Sequence, residues 1–383
     1  MRGEVSERYY RFFTGQGVDR IPDVEFGWWP QTIRRWLGEG LPRNLTDEWF
    51  NVKLNSADEI DMFNPKLEEY FGFDTSGVTL SVRTHMNPVM PERVVETRGH
   101  VLVMVDARGA LLERFPNEVE ESSIPRFVKF PVQTAADWAS YREHYRLDDP
   151  TRFVAESDIE RIRRAAAEGR MVNVALLGFY GQLRNWMGIE NLSVTLYDEP
   201  ALIQEMVGHW AELCARQIER LPADLPVDQV QWWEDMASKN GPLVSPAQFR
   251  QFFLPGYRRV MDAARARGCA LSMVDCDGNP AELVPCWLEV GVNVMFPLEV
   301  QAGADPLKWR REFGSSLLLR GGLDKEAVAR GPRAIAEELH RVRPLVELGG
   351  YVPHLDHLVP PTVSYGNYLE YLRQKRALIG RSS

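Results

Sequence analysis

Two short segments hold most of the ionisable groups whose types and spacing could do chemistry. The first is Ser272-Met273-Val274-Asp275-Cys276-Asp277-Gly278-Asn279, an apolar run that ends in two carboxylates one residue apart. At the end of a strand, alternation turns Asp275 and Asp277 to one side and Cys276 to the other, so Cys276 is expected to pack. The second is Gly349-Gly350-Tyr351-Val352-Pro353-His354-Leu355-Asp356-His357, followed by Pro360-Pro361. Glycines allow close backbone approach, and the prolines stiffen the exit. Neutral imidazole with carboxylates makes a good shell for zinc or another divalent ion, so Asp275, Asp277 and His357 are candidate metal ligands. The same groups can bind substrate or move protons without a metal. An Asp-x-Asp before Gly-Asn is also an ordinary loop that bonds its own backbone.

These groups need elements to hold them. From about residue 150 onward, helical and strand patterns alternate. Strands are expected over Met171–Leu177, Gln229–Trp233, Ala270–Val274, Val292–Phe296 and Leu317–Arg320, with a last one opening at Gly349. Helices are expected over Thr151–Ala167, Ala201–Leu221, Ala247–Arg267, Ala281–Val290, Pro306–Phe313, Arg333–Val346 and Tyr365–Ile379. Ser245 and Pro246 form an N-cap and first helical position. Upstream, a helix over Ser6–Thr14, a strand over Ile21–Phe26 and a helix over Thr32–Leu37 are expected. Such alternation implies right-handed βαβ units and a parallel sheet, and the number of units implies an α/β fold of the (β/α)8 TIM-barrel type. Residues 50–150 differ. Val94–Thr97, His100–Asp106 and Ala110–Phe115 read as strands joined by Gly-containing turns. This predicts an antiparallel β elaboration, inserted into or covering a single domain that spans residues 1–383.

In such a barrel, function sits at the C-terminal ends of the strands. The polar residues that follow the apolar runs are Glu25, Tyr180, Glu234, Asp235, Asp275, Asp277, Glu299, Asp324, His354, Asp356 and His357. Together they predict an acidic mouth, whose carboxylates repel unless a cation or basic group compensates. Glu234, Asp235 and His357 are candidates for acid–base work. Tyr180, Glu299 and His354 are candidates for substrate binding. Trp28 and Trp233, with Trp29 and Trp232, could line an apolar pocket, although aromatic pairs beside strands are also ordinary core.

Composition narrows the partners. The chain has 383 residues and a formal net charge of −9, which disfavours a nucleic-acid backbone or an anionic membrane. No apolar run reaches about 18 residues, and the first residues lack the apolar core of a signal peptide, so a cytoplasmic protein is expected. Cys214, Cys269, Cys276 and Cys286 form no CxxC pair and are expected to be thiols. No G-x-G-x-x-G follows an early strand, which argues against a dinucleotide-binding fold.

One set of segments resembles a known family. Trp233-Glu234-Asp235-Met236-Ala237, Ser245-Pro246, Asp275-Cys276-Asp277-Gly278-Asn279, and Gly349-Gly350-Tyr351 through Asp356-His357-Leu358-Val359-Pro360-Pro361 resemble the uroporphyrinogen decarboxylase-like superfamily. The resemblance covers roughly residues 150–380. It implies a (β/α)8 barrel and one of two activities. The decarboxylase branch carries an Arg-Gln-Ala-Gly-Arg-like motif near its first strand, and Phe26–Trp36 does not have it in that form. The corrinoid-dependent methyltransferase branch binds zinc through His-x-Cys-Gly-Asn and a later Cys. Aligned on Gly278-Asn279, those positions are Asp275, Asp277 and His357. The resemblance therefore implies a methyltransferase or demethylase, with a divalent metal, zinc in the family's manner, acting as Lewis acid and Glu234 as fourth ligand or base. Oxygen and nitrogen donors in place of thiolates imply a methoxy or other non-thiol methyl donor. The methyl acceptor implied is a corrinoid carried by a partner protein, and a homodimer is a further expectation. The alternative is a metal-free decarboxylase or lyase.

Overall fold

The computed structural model describes residues 6–45, 65–114 and 125–381. Strand β1 (Val78–Leu80) begins the main sheet. The next four, β2 (Arg93–Arg98), β3 (Val101–Val105), β4 (Leu111–Arg114) and β5 (Arg126–Lys129), form a separate antiparallel sheet in that order. Strands β6 (Val172–Leu177) and β7 (Gln229–Trp233) return to the main sheet, and β8 (Ala237–Ser238) and β9 (Gly241–Pro242) make a small hairpin. Strands β10 (Leu271–Asp275), β11 (Val294–Phe296), β12 (Leu318–Leu323) and β13 (Tyr351–Leu355) complete it. The main sheet is parallel, with order β1-β6-β7-β10-β11-β12-β13. An isolated parallel bridge joins Trp28 to Val359 just beyond β13.

Alternate residues along each strand feed two different clusters. One lies between strands and helices and includes Val230, Val274 and Leu319 with Ile203, Tyr257 and Trp287. The other gathers the inner faces: Met171, Leu271, Met273, Val294, Phe296, Leu318 and Val352. Tyr9, Phe13, Val24 and Phe26 from the N-terminal segment join this inner cluster. Register then sets the height of each inward side chain. Leu177, Trp233, Asp275 and Phe296 are paired across four strands. Below them come Ala175, Gln231, Met273, Val294 and Leu318. Asn173, Gln229 and Leu271 form the next row down.

The parallel half follows the hydrophobic pattern, and the differences have local causes. Ile21–Phe26 is not a strand. Its backbone groups bond elsewhere: Ile21 N–H to the Ile379 carbonyl, Asp23 N–H to Asp74, and the Val24 carbonyl to Lys375. Strand β1 falls inside the stretch read as antiparallel, and three residues are too few to show a period. No helix is expected between Leu177 and Ala201, but Phe179–Met187 is one, and a second helix, Ile189–Asp198, starts after Gly188. Lys325–Arg330 is a further short helix. Phe115, the expected end of a strand, lies outside the described residues.

A buried charge cluster ties the N-terminal segment to the last helix, Tyr365–Leu378. The fully buried Lys375 ammonium lies 2.9 Å from Asp23 and 3.8 Å from Glu25, and donates to the Val24 carbonyl at 3.0 Å. Arg376 and Arg381 also reach Asp23, at 2.8 and 2.7 Å. Burial works to raise the Asp23 pKa, but Lys375 and Arg376 outweigh it and hold the carboxyl down at about 2. Because that folded value lies below the unfolded one, the stabilisation is present above pH ~4 and is lost as pH falls toward 2. Lys375→Met should cost about 3–5 kcal/mol in denaturant unfolding at neutral pH, because it strands buried carboxylates. A loss below about 1 kcal/mol would mean that the cluster does not hold the segment.

Candidate functional site

The C-terminal ends of the main-sheet strands bring several carboxylates together, but in different roles. Glu234, next after β7, is fully buried. Its Oε1 accepts the Phe179 N–H at 2.8 Å and its Oε2 the Gly181 N–H at 2.9 Å. The carboxylate thus caps the helix Phe179–Met187 and meets the positive end of its dipole. Gly178 is required beside it, since a Cβ there would lie 2.1 Å from Glu234 Cδ. The Tyr257 hydroxyl donates to Oε1. Burial pushes the Glu234 carboxyl up to about 7, and the hydrogen bonds from Tyr257, Gly181 and Phe179 work against that rise.

Asp235 follows with φ 44°, in the left-handed region. That turn aims its carboxylate at Arg184, 3.4 Å away, and at the Asp277 N–H, 3.3 Å away. The Arg184 guanidinium also lies over the Trp233 ring, 4.6 Å from its centroid. Asp275 ends β10 and is partly exposed. Burial, then the charges of Asp235 and Asp277, push its pKa well up, with Arg320 opposing. The Asp277 carboxylate lies 3.5 Å from His357 Nε2. The His357 ring is stacked near Trp29, centroids 6.0 Å apart, and tilted against Phe26 at 5.3 Å.

The other side of the mouth is a set of satisfied pairs. Glu299 accepts the Gly278 N–H at 2.9 Å and lies 3.5 Å from Lys325 Nζ. Asp356 is buried, accepts the Val300 and Lys325 N–H groups, and lies 3.4 Å from the same ammonium. Asp324 caps the helix Lys325–Arg330 through the Glu326 N–H. Beneath the mouth, Arg320 is buried and its Nε donates to His354 Nε2 at 3.0 Å. His354 Nδ1 faces the Leu355 carbonyl at 2.7 Å, so the ring is held as a neutral tautomer with its proton on Nδ1. Burial, then Arg320, keeps the His354 pKa well below the usual histidine range.

The structure brings Asp235, Asp275, Asp277, Glu299, Trp233 and His357 to the expected mouth. Glu234 is beside it, with both oxygens occupied. His354 lies in the inner core, with both ring nitrogens occupied. Trp28 packs on Phe71, Phe73 and Tyr368, and Trp29 is the tryptophan that reaches His357. Tyr180 is fully buried and packs near Phe253. Glu25 is also buried and accepts the Leu355 N–H and the Tyr371 hydroxyl. Among the described residues, no three His, Cys, Asp or Glu side chains gather closely enough to hold a metal ion. Asp275, Asp277 and His357 therefore share a mouth without converging on one point. Arg184, Arg320 and Lys325 also border these groups, although no strand end in the sequence marks them. Arg184 lies on an unexpected helix, Lys325 opens another, and Arg320 sits inside a strand rather than after it. A groove of about 500 Å³ lined by Arg163, Asp224 and Arg267 lies beside the N-terminal ends of the strands. Its arginines are committed to Asp224 and to backbone carbonyls.

Tyr257→Phe removes a hydrogen bond that favours ionised Glu234. The Glu234 titration, followed by carboxyl-labelled NMR, should move above about 7. Stability should then fall with rising pH over a window that ends higher than in the parent, since a raised folded pKa is lost as a stabilising contribution when the group ionises. An unchanged or lower midpoint would show that Tyr257 does not set it.

No curated protein matches this sequence. Solved structures do. A methyltransferase from Methanosarcina mazei is 15% identical, with a TM-score of 0.59 and coverage of 97% of each chain, and shows the same fold. A B12-independent methionine synthase from Shewanella sp. W3-18-1 is 11% identical at TM-score 0.31, covering 58% of this chain and 66% of its own. No membrane-length apolar helix occurs among the described residues. The uroporphyrinogen decarboxylase (URO-D) family profile matches residues 110–373, more than half of the chain. The sheet order, the C-terminal mouth and this match agree: the chain belongs to the uroporphyrinogen decarboxylase (URO-D) family.

Proposed function

We propose that this chain is a demethylating methyltransferase that takes a methyl group from the oxygen of a small methoxy substrate. The observation that carries the reading is the Asp277–His357 contact of 3.5 Å inside an acidic mouth. Asp277 lies against the His357 imidazole, and Trp29 and Phe26 flank the ring. A corrinoid held by a partner protein would supply the methyl acceptor. On methyl departure the C–O bond breaks and its electron pair stays on oxygen. His357 gives that oxygen its proton, so the product leaves as the alcohol. Trp233 and Glu299 border the space where the substrate sits.

The fold supports the reading in two ways. The seven parallel strands and the Trp28–Val359 bridge fit a (β/α)8 barrel in which the N-terminal segment takes the eighth position. The Methanosarcina mazei methyltransferase has this fold along its whole length. Strands β2 to β5 are then a covering subregion of one domain, while β1 belongs to its main sheet. Among the described residues, no group of His, Cys, Asp and Glu side chains forms a metal site. A second reading has one observation in its favour. The charges of Asp235 and Asp277 crowd Asp275, and a divalent cation held by Asp275, Asp277 and His357 would relieve that crowding.

Methyl transfer from 4-methoxybenzyl alcohol to cob(I)alamin, followed by absorbance, tests both. His357→Gln should lower kcat by roughly 10²–10⁴-fold with little change in substrate binding. An unaltered kcat would remove His357 from the chemistry. Turnover that survives exhaustive chelation supports the metal-free reading, and loss restored by zinc supports the second.

A further inference from the structure

The Asp277 carboxylate meets His357 only if the loop after β10 keeps its place. Each N–H from Cys276 to Asn279 is committed. Cys276 donates to the Phe296 carbonyl and Asn279 to the Ser238 carbonyl, both at 3.0 Å. Gly278 lies in the left-handed region at φ 82°, and a Cβ there would lie 2.8 Å from the Ser238 carbonyl, so the loop rests directly on β8. The two N–H groups that bracket the Asp277 Cα go to side chains instead. Asp277 donates to Asp235 Oδ1 at 3.3 Å, and Gly278 to Glu299 Oε2 at 2.9 Å.

Both of these carboxylates turn their second oxygen to a cation. Arg184 reaches Asp235 Oδ2 at 3.4 Å and also donates to the Asp235 carbonyl at 3.1 Å. Asp235 has φ 44°, a conformation that a non-glycine residue keeps when its surroundings hold it. Lys325 Nζ lies 3.5 Å from Glu299 Oε1 and 3.4 Å from Asp356 Oδ1. Asp356 is fully buried and directly precedes His357. Its other oxygen accepts the N–H of Val300, the residue after Glu299, at 2.9 Å. One ammonium therefore joins the neighbour of His357 to the acid that holds the neighbour of Asp277. Arg184 grips the same loop through Asp235, from the side of β7.

We infer that Arg184 and Lys325 are positioning residues, which fix Asp277 opposite His357 through Asp235, Glu299 and Asp356. What that contact does in the reaction rests on the proposed methyl transfer, whereas the clamp rests on the hydrogen bonds alone. Backbone carbonyls could hold the loop without adding charge. Two further carboxylates beside Asp275 and Asp277 add repulsion at the mouth, and a cation against each offsets it. Arg184 also lies over the Trp233 ring, 4.6 Å from its centroid, so it ties the wall of the substrate space to the same loop. Both cations act through other groups. A shift of about 1 Å between Asp277 and His357 is enough to cost about 10²-fold in rate.

The test combines amide hydrogen exchange on the full chain, read by NMR, with methyl transfer from 4-methoxybenzyl alcohol to cob(I)alamin. In Lys325→Gln the Gly278 amide should exchange about tenfold faster, and the Asp277 amide should change less. In Arg184→Gln the order should reverse. Each variant should lower kcat about 10–100-fold, with KM within about twofold of the parent in Lys325→Gln. In an Asp277→Asn background neither change should lower kcat further, because both act through that residue. Exchange that stays parental, or that rises equally at both amides, overturns the inference. So does a parental kcat, or a loss that multiplies with that of Asp277→Asn, since a purely structural role would give either. Where a Gln variant does not fold, Lys325→Arg and Arg184→Lys decide by the same amides: a change centred on Gly278 or on Asp277 respectively supports the clamp, and no change overturns it. A parent without methyl transfer removes the demethylase reading, and the exchange pattern then decides the clamp by itself.

Discussion

The constraint on which the rest depends is the parallel register of the main sheet. Once Leu177, Trp233, Asp275 and Phe296 are paired in one row, every other inward residue has its height set. Asp275 cannot point outward without moving Met273 and Leu271 out of the inner cluster. The same pairing carries Glu234 to the start of the helix Phe179–Met187 and Asp277 to His357. The N-terminal segment contributes from the other side. Lys375 anchors Asp23 and Glu25, and this places Phe26 and Trp29 around the His357 ring.

The carboxylates at the mouth do not act as one pool of negative charge. Glu234 caps a helix, Asp324 caps another, and Glu299 and Asp356 share Lys325. Asp235 is paired with Arg184. What remains is Asp275, crowded by its neighbours, and Asp277, facing His357. The proposed chemistry is placed there because the other acids already have partners.

Much of this was legible in the sequence. Period-two apolar runs ending in polar residues located β6, β7 and β10 to β13 to within a few residues, and with them the mouth. Side-chain alternation placed Asp275 and Asp277 on the inward side and buried Cys276. Less was legible where tertiary bonds override local pattern. Ile21–Phe26 looks like a strand, but Asp74 and Lys375 take its backbone groups. The tryptophan pair at 28–29 gives no sign of which ring packs between strands and helices and which reaches the mouth; Trp28 does the first and Trp29 the second. His354 and His357 are three residues apart in one segment, yet one is locked by Arg320 and the other reaches the mouth.

The most direct measurement follows a ¹³C-labelled methoxy carbon of 4-methoxybenzyl alcohol by NMR, with the full chain and cob(I)alamin present. The account predicts that the label leaves the aromatic substrate for the corrinoid as 4-hydroxybenzyl alcohol appears in equal amount. A label that stays on the substrate, while carboxylated compounds lose carbon dioxide to the same enzyme, would contradict it.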